Sequence, residues 1–378
     1  MKITSVETVV VDAGRCPWNF VVVETDAGVS GVGEATLEGR AETVAACVRD
    51  LSRRLLGEDP ARIQHLWQRA YRHPFWRGGV IQMTALSGVE QALWDIKGKV
   101  AGLPVYELLG GACRDRIRLY ANGPRGDTPE QLAPSARQIV SGGFRALKMS
   151  PLGPTLPVDG RSALRPSVEK VAAVREAVGP DVRIGIDVHG RLSPVLAIAF
   201  AEAVEPYDIW FLEEPVLPEH PEAMAQVARR SSVPIATGER LFTKWSYRDV
   251  LLQDAASLWQ PDLAHCGGIF EARLIAGMAE TAFAGFAPHN PQGPVNTLAS
   301  AHVAMASPNF VALEFLFDRP EYTNELTTTS LSVEDGWLTV PRTPGLGIEL
   351  DRAACAAHPY RVSDQPGWFH DDGAVADW

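Results

Sequence analysis

Apolar and polar positions alternate with a period of two through ITSVETVVVDA and NFVVVET, and Asp26-Ala27-Gly28 turns the second run into VSGVGEA. Such alternation marks half-buried strands, so the first segment is read as an antiparallel meander. The period then lengthens. Helical patterns run from Ala41 to about Leu56 and from Pro60 to about Tyr71; in the second, Ile63, Leu66, Trp67, Ala70 and Tyr71 fall on one apolar face. A third, from about Val80 to Val100, is apolar on most sides and is expected to lie buried between units.

From Ile117 the rhythm becomes strand, loop and helix, repeated. Apolar runs predict strands at 117–121, 144–148, 183–187, 209–213, 234–238, 257–261, 284–288 and 311–315. Helical patterns lie between them at about 129–141, 166–178, 194–204, 221–231, 245–255, 269–282 and 295–307. Seven crossovers joining eight β-runs predict an α/β fold of the (β/α)8-barrel type rather than an open doubly wound sheet. No GxGxxG follows the first strand, which removes the support for a dinucleotide fold. The expected organisation is an α+β capping domain over residues 1–116, a barrel over 117–340, and a C-terminal segment, 341–378, that returns to the cap. The segment PLGPTLPVDGRSALR, between the second strand and its helix, is long and rich in Pro and Gly, and is expected to reach over the barrel mouth.

A ladder of ionisable residues gives this pattern its chemical meaning. Asp187, Glu213, Glu239, Asp262, His289 and Glu314 each close an apolar run and recur every 23 to 27 residues. One parallel strand with its loop and return helix takes roughly 25–30 residues, so the ladder sets one polar group at the end of each of six consecutive strands. Active sites of barrels are built there. Asp187, Glu213 and Glu239 would converge as three carboxylates that repel unless a cation neutralises them, and oxygen-only ligands favour Mg²⁺ over zinc. Each acid pairing with a barrel Lys or Arg is the plainer alternative. Glu214 is assigned to the other face, in support.

His289 with Asp262 on the neighbouring strand has the make-up of a general base, because a carboxylate beside an imidazole fixes its tautomer and raises its basicity. His189, two residues past Asp187, is either a second acid/base group or a supporting residue. Glu314 either donates to an enolate oxygen or binds substrate hydroxyls. Lys148, at the end of the second strand, pairs with a substrate carboxylate or with a metal ligand, or makes a plain structural ion pair, and His265 is a further substrate contact. Segments near 14–20 and 73–79 of the cap are expected to line the pocket and to set specificity, along with the loop at 151–165.

Composition narrows the partners. The chain has 378 residues, 46% hydrophobic and 21% charged, with a net charge of −11 and no Lys/Arg block, so nucleic acid and anionic membranes are excluded as partners. Five scattered cysteines without a CxxC pair argue against a disulfide framework or thiolate zinc site and suit a reducing cytoplasm, the expected location. The N-terminus shows no signal-peptide pattern, and no window of 18 uninterrupted apolar residues predicts a membrane span.

At these residues the chain resembles the enolase superfamily and, within it, the mandelate racemase-like group. The likeness is carried by GVGEATLEGRAETV, QALWDIKGK, IDVHGR, LEEPV, TGER, QPDLAHCGGI, APHNPQGP and TPGLGIELD, and so covers nearly the whole chain. Sites of this superfamily are themselves the standing example of a Lys or His base working with Mg²⁺ on an ene-diolate, so that mechanism is what the resemblance implies. Carried over by motif, Asp187, Glu213 and Glu239 resemble the Mg²⁺ ligands and His289 with Asp262 the base dyad. His189 resembles the acid that protonates a departing hydroxyl, and Glu314 the group that stabilises the enolate. Asp-x-His on the third strand and His-x-Pro-x-Gly-Pro on the seventh are similar to members that dehydrate aldonic acids, with D-galactonate the expected substrate. Other sugar acids, an isomerase or lactonising reaction, and a silent sugar-acid binding protein are the alternatives. Racemases carry Lys-x-Lys on the second strand, whereas this chain has Lys148-Met149-Ser150, which counts against racemisation. Barrels with this cap resemble homo-oligomers of even number.

Overall fold

The structure, a computed structural model, describes residues 1–363 and 367–377. The alternating N-terminal runs form β1 (Ile3–Val11), β2 (Trp18–Thr25) and β3 (Ser30–Glu34), an antiparallel meander. Behind it lie α1 (Ala41–Leu55), α2 (Ile63–Arg72) and α3 (Val80–Ala101). Helix α3 packs directly on β3 because glycines line the contact: a Cβ at Gly33 would lie 2.0 Å from the carbonyl oxygen of Gly88. Trp18, in the 14–20 segment, is a core side chain, 1% exposed.

A short helix, α4 (Val105–Leu108), leads into the barrel. Its strands are β4 (Ile117–Asn122), β5 (Ala146–Met149), β6 (Arg183–Asp187), β7 (Ile209–Glu213), β8 (Ile235–Thr237), β9 (Leu258–Trp259), β10 (Gly285–Phe286) and β11 (Leu313–Phe315). Between them run α5 (Pro129–Ser141), α6 (Arg165–Val178), α7 (Pro194–Val204), α8 (Pro221–Ala228), α9 (Thr243–Gln253), α10 (Ile269–Thr281) and α11 (Pro294–Met305). Neighbouring strands from β4 to β10 pair in parallel, and β11 pairs with β4 through Leu313 and Leu119. Closure between β10 and the last strand is a parallel bridge from Phe286 to Phe310, in which the Val311 amide donates to the Phe286 carbonyl at 2.8 Å. The barrel interior is filled by Tyr120, Ala146, Phe211, Ala236, Leu258, Ala287 and Ala312, with Gly185 leaving room for the Phe211 ring.

No return helix follows β11 among the described residues. The chain instead makes a hairpin, β12 (Ser332–Glu334) and β13 (Trp337–Thr339), that adds antiparallel to the start of β4. Its turn is Asp335-Gly336, both with left-handed φ (49° and 73°), a local hairpin signal in the sequence. The C-terminal segment then divides. Gly345 bridges Pro104, α12 (Arg352–Ala357) follows, and Pro359 bridges Val11 of the cap. Further on, Trp368 stands at the barrel mouth rather than against the cap. Residues 364–366 and 378, also expected to return to the cap, lie outside the described residues. No helix among the described residues is long and apolar enough to cross a membrane.

Three buried acids of the cap unit fasten it to the rest. Glu34 accepts from the amides of Gly293 (2.7 Å) and Asn296 (2.9 Å) at the start of α11. Glu90 accepts from the amides of Ile269 (2.7 Å) and Phe270 (3.0 Å) at the start of α10, and from the Trp94 indole. Asp95 accepts from Leu346 (2.8 Å) and Val32 (3.0 Å). Two helix N-termini with orphan donors and favourable dipoles are thus capped across the interface. Gly268 permits the approach, since a Cβ there would fall 2.1 Å from Glu90 Oε2.

Burial raises the Glu90 carboxyl from its ordinary 4.5 to about 8, outweighing the amide donors that pull it down. Folded Glu90 therefore holds its proton more tightly than in the unfolded chain, and the stability this brings is full below about pH 4.5 and is lost as pH rises through about 8. In urea denaturation the parent chain is expected to lose more stability between pH 5 and 8 than Glu90→Gln, by on the order of a few kcal/mol. Equal losses in the two proteins would exclude Glu90 as the titrating group.

Candidate active site

The mouth of the barrel holds a cavity of about 430 Å³ lined by Lys148, Asp187, His189, Glu239 and His289 of the predicted set. Asp187 and Glu213 end β6 and β7 and are direct partners in the parallel register. Lys148, on β5, reaches across to both. Its Nζ lies 2.8 Å from Glu213 Oε1, 3.0 Å from Glu314 Oε1 and 3.2 Å from Asp187 Oδ2. Burial disfavours the ammonium, but Asp187, Glu213 and Glu314 together hold its pKa well above the ordinary value. Lys148 is thus paired with protein carboxylates.

The acids divide the charge unequally. Burial pushes Glu213 well above the usual carboxylate range, helped by Asp187, and Lys148 only partly opposes this. Asp187, equally buried, is held far below that range because His189 and Lys148 outweigh desolvation. His189 has left-handed backbone (φ 53°), uncommon without glycine, and this turn folds its imidazole back so that Nε2 lies 3.0 Å from Asp187 Oδ2. Glu213 Oε2 also accepts from Gln260 Nε2 at 2.7 Å. Glu214 is buried behind the site and accepts from Arg240 Nε at 2.6 Å, the supporting place expected for it.

His289 donates from Nδ1 to Asp262 Oδ2 at 2.8 Å, while its Nε2 faces Glu239 Oε2 at 3.1 Å. Burial lowers the imidazole's proton affinity, and Glu239, Glu314 and Asp262 more than reverse that, leaving its pKa well above the ordinary value. Asp262 is fixed by further donors: the Ala264 amide at 2.7 Å and Gln292 Nε2 at 2.8 Å. The pair predicted on neighbouring strands is in contact.

Two predicted residues stand off the cavity wall. Glu314 is fully buried and does not line the cavity. Its carboxyl accepts from Asn122 Nδ2 at 2.7 Å and the Asn290 amide at 3.1 Å; Lys148 and His289, with the Asn290 amide, outweigh burial and hold its pKa below the usual value. His265 is buried against the cap, 2.8 Å from Thr84 Oγ1 and 3.6 Å from Asp262 Oδ2, and is likewise absent from the cavity wall. Of the flexible-looking segments, Arg15 and Leu152 line the cavity, whereas Phe75 and Trp76 point into solvent at 76% and 80% exposure.

Sequence reasoning missed Asn122, Arg125, Arg191, Glu38 and Trp368, all on the wall. Asn122 carried a signal: it closes the apolar run of the first barrel strand, 26 residues before Lys148, in the cadence of the ladder.

The donor set fits a hard cation. Ligand atoms of Glu213, Glu239 and His289 lie within 4.8 Å of one another, and Asp187 sits beside them, turned toward Lys148 and His189. Carboxylates outnumber the buried ammonium, and the neighbouring Asp187 adds to the burial that raises Glu213.

Comparison with known proteins agrees with this geometry. Residues 3–110 match the mandelate racemase / muconate lactonizing enzyme N-terminal domain family, and residues 131–354 the enolase C-terminal domain-like family. D-galactonate dehydratase of Ralstonia nicotianae is 41% identical over 390 aligned positions, covering 100% of both chains, and that of Ralstonia pickettii is 42% identical with the same coverage. Among solved structures, a mandelate racemase/muconate lactonizing enzyme from Jannaschia sp. CCS1 superposes with a TM-score of 0.89 at 35% identity, covering 96% of this chain and 99% of the other. A member of the enolase superfamily from Salmonella Typhimurium gives 0.89 at 34% identity, covering 95% and 98%. Cap, closed barrel, strand-end acids and paired matches over both units have one reading: the chain belongs to the enolase superfamily, in its mandelate racemase group.

Proposed function

We propose that this protein is a hydro-lyase, a Mg²⁺-dependent acid-sugar dehydratase that removes water across C2 and C3 of an aldonic acid, with D-galactonate the first candidate. The observation that carries this is the presence on one cavity wall of two histidines from different strands, His289 beside Asp262 and His189 beside Asp187. Full-length relatives named D-galactonate dehydratase support the choice of substrate. On this reading the chain divides into a capping unit (1–116), a catalytic barrel (117–340) and a C-terminal segment (341–378), and works in the cytoplasm as a homo-oligomer.

Bound by Asp187, Glu213 and Glu239, Mg²⁺ would offset the second negative charge that develops on the substrate carboxylate when the α-proton leaves. His289 takes that proton at Nε2. Asp262 holds Nδ1 at 2.8 Å, orients the ring and stabilises the imidazolium that forms. The contact from Nε2 to Glu239 at 3.1 Å has to be released before the base can act. His189 gives a proton from Nε2 to the C3 hydroxyl as the C–O bond breaks, because hydroxide alone is a poor leaving group. Water departs, and the enol tautomerises to a 2-keto-3-deoxy acid. Lys148 does not move a proton in this scheme. Its charge keeps Asp187 and Glu314 ionised, and Asn122 presents the amide that Glu314 orients toward the cavity wall.

The direct test is a panel of aldonic and aldaric acids with Mg²⁺, reading 2-keto-3-deoxy products with semicarbazide. Turnover of D-galactonate that stops with EDTA and returns with Mg²⁺ is expected; silence on every acid would sink the dehydratase reading. His289→Asn is expected to lose both dehydration and exchange of the α-proton with D₂O, and retained exchange would place the base elsewhere. His189→Asn is expected to lose dehydration by about 10²–10⁴-fold while α-exchange persists. Lys148→Met leaves buried carboxylates without their ammonium, and in EDTA its unfolding free energy is expected to fall by about 3–5 kcal/mol, with part recovered on adding Mg²⁺. A variant as stable as the parent in EDTA would show that the lysine is not the counter-charge.

A further inference from the structure

Arg191 lies on the loop after β6, two residues beyond His189, and is clamped by three separate segments. Its backbone bridges Val216 in the loop after β7, and its Nη1 donates to the Leu152 carbonyl at 2.8 Å in the loop after β5. The third clamp comes from the far end of the chain. The Arg191 guanidinium carbon lies 4.3 Å from the ring centroid of Trp368, a stacking distance. Its Nη2 stands 3.3 Å from His189 Nδ1. An imidazole has two nitrogen edges, and with Arg191 against one of them the other, Nε2, turns to the carboxylates.

The segment that carries Trp368 is itself folded. Phe369 bridges Val375, the Ala376 amide donates to the Trp368 carbonyl at 2.9 Å, and the His370 amide to the Ala374 carbonyl at 2.8 Å. A turn at Asp371-Asp372-Gly373 closes this hairpin, and Ala376 is buried beneath it. The same segment brings Asp377 close enough to act on the charge of Arg191. Trp368, Arg191, Leu152 and His189 all face the one cavity.

We propose that the C-terminal hairpin is a working wall of the active site, in which Trp368, acting through Arg191, is a positioning residue for His189. This rests on the reading of His189 as the acid of the dehydration. The hydrogen bonds that hold the base, from His289 and Gln292 to Asp262, do not run through Trp368 or Arg191. Arg191 would keep its charge and its bond to Leu152, but without the ring it can swing away from His189.

The test compares the full-length parent with Trp368→Ala, Trp368→Phe, Arg191→Lys and His189→Asn, measuring dehydration and α-deuterium exchange on the same substrate. Trp368→Ala is expected to lower the kcat of dehydration by about 10- to 100-fold, the scale of a catalytic group displaced by about an ångström. Exchange is expected to stay within about threefold of the parent, since the base network is untouched. Phe at 368, which keeps a face for the guanidinium, should return most of the activity, and Arg191→Lys, which loses the planar fork, should resemble the alanine variant. Unchanged dehydration in Trp368→Ala overturns the proposal, as does an equal loss of exchange and dehydration, the sign of a merely structural role. The two readings fail differently. Retained dehydration in His189→Asn would discard the acid assignment, whereas a silent Trp368→Ala beside an inactive His189→Asn would discard the positioning role alone.

Discussion

A single buried ammonium among strand-end carboxylates is the constraint on which this site depends. Parallel pairing sets Asp187 directly beside Glu213, so the register that builds the barrel also forces two like charges together. Lys148 answers three acids at once from a position 2% exposed. The outcome is unequal: His189 and Lys148 together hold Asp187 low, whereas burial, with Asp187 beside it, pushes Glu213 high against the pull of Lys148. The charge arrangement is therefore costly for folding and useful for holding a divalent ion.

The cap is wired into the same arrangement. Glu34 fixes the backbone at Gly293 and Asn296, and Asn296 Nδ2 reaches Asn290 Oδ1 at 3.0 Å and Asp262 Oδ1 at 3.4 Å. Gln91 of α3 donates to Asn296 and to the Leu263 carbonyl. Asp262 in turn holds His289. A continuous hydrogen-bonded path thus joins Glu34 of the cap to the imidazole at the cavity. In a low-dielectric interior such a network is rigid only when every member is satisfied, so docking the cap and orienting the histidine are one structural problem.

The barrel was legible because its information is local and periodic. Each strand end needs only a short apolar run and a polar terminus, and the eight predicted runs all contain observed strands. Asp187, Glu239 and His289 reached the cavity for the same reason. What escaped depends on chain direction or on distant partners. His189 faces Asp187 through a left-handed residue, which no alternation rule provides. Glu314 was expected to face substrate, yet Asn122 and Lys148 stand in front of it, and neither relation follows from spacing along one strand. Trp368 meets Arg191 across 177 positions of sequence, and its segment reads locally as no more than a polar tail. The hairpin after β11 was readable from Asp335-Gly336, but the barrel rhythm masked it.

The state of Lys148 also bears on which reactions this scaffold can run. Against the pull of burial, Asp187, Glu213 and Glu314 hold its proton well above the ordinary lysine value, so β5 supplies a fixed cation rather than a base. Two residues on, where alternation returns a side chain to the same face, stands Ser150 on the cavity wall. Inversion at one carbon needs a proton acceptor on each face of the substrate, and β5 offers none. Elimination needs something different: a base for the α-proton and an acid for the hydroxyl, each with its own carboxylate. His289 with Asp262 and His189 with Asp187 are two histidine–carboxylate pairs held in the loops after different strands, and the Lys148 charge lowers the pKa of Asp187 and Glu314 beside them.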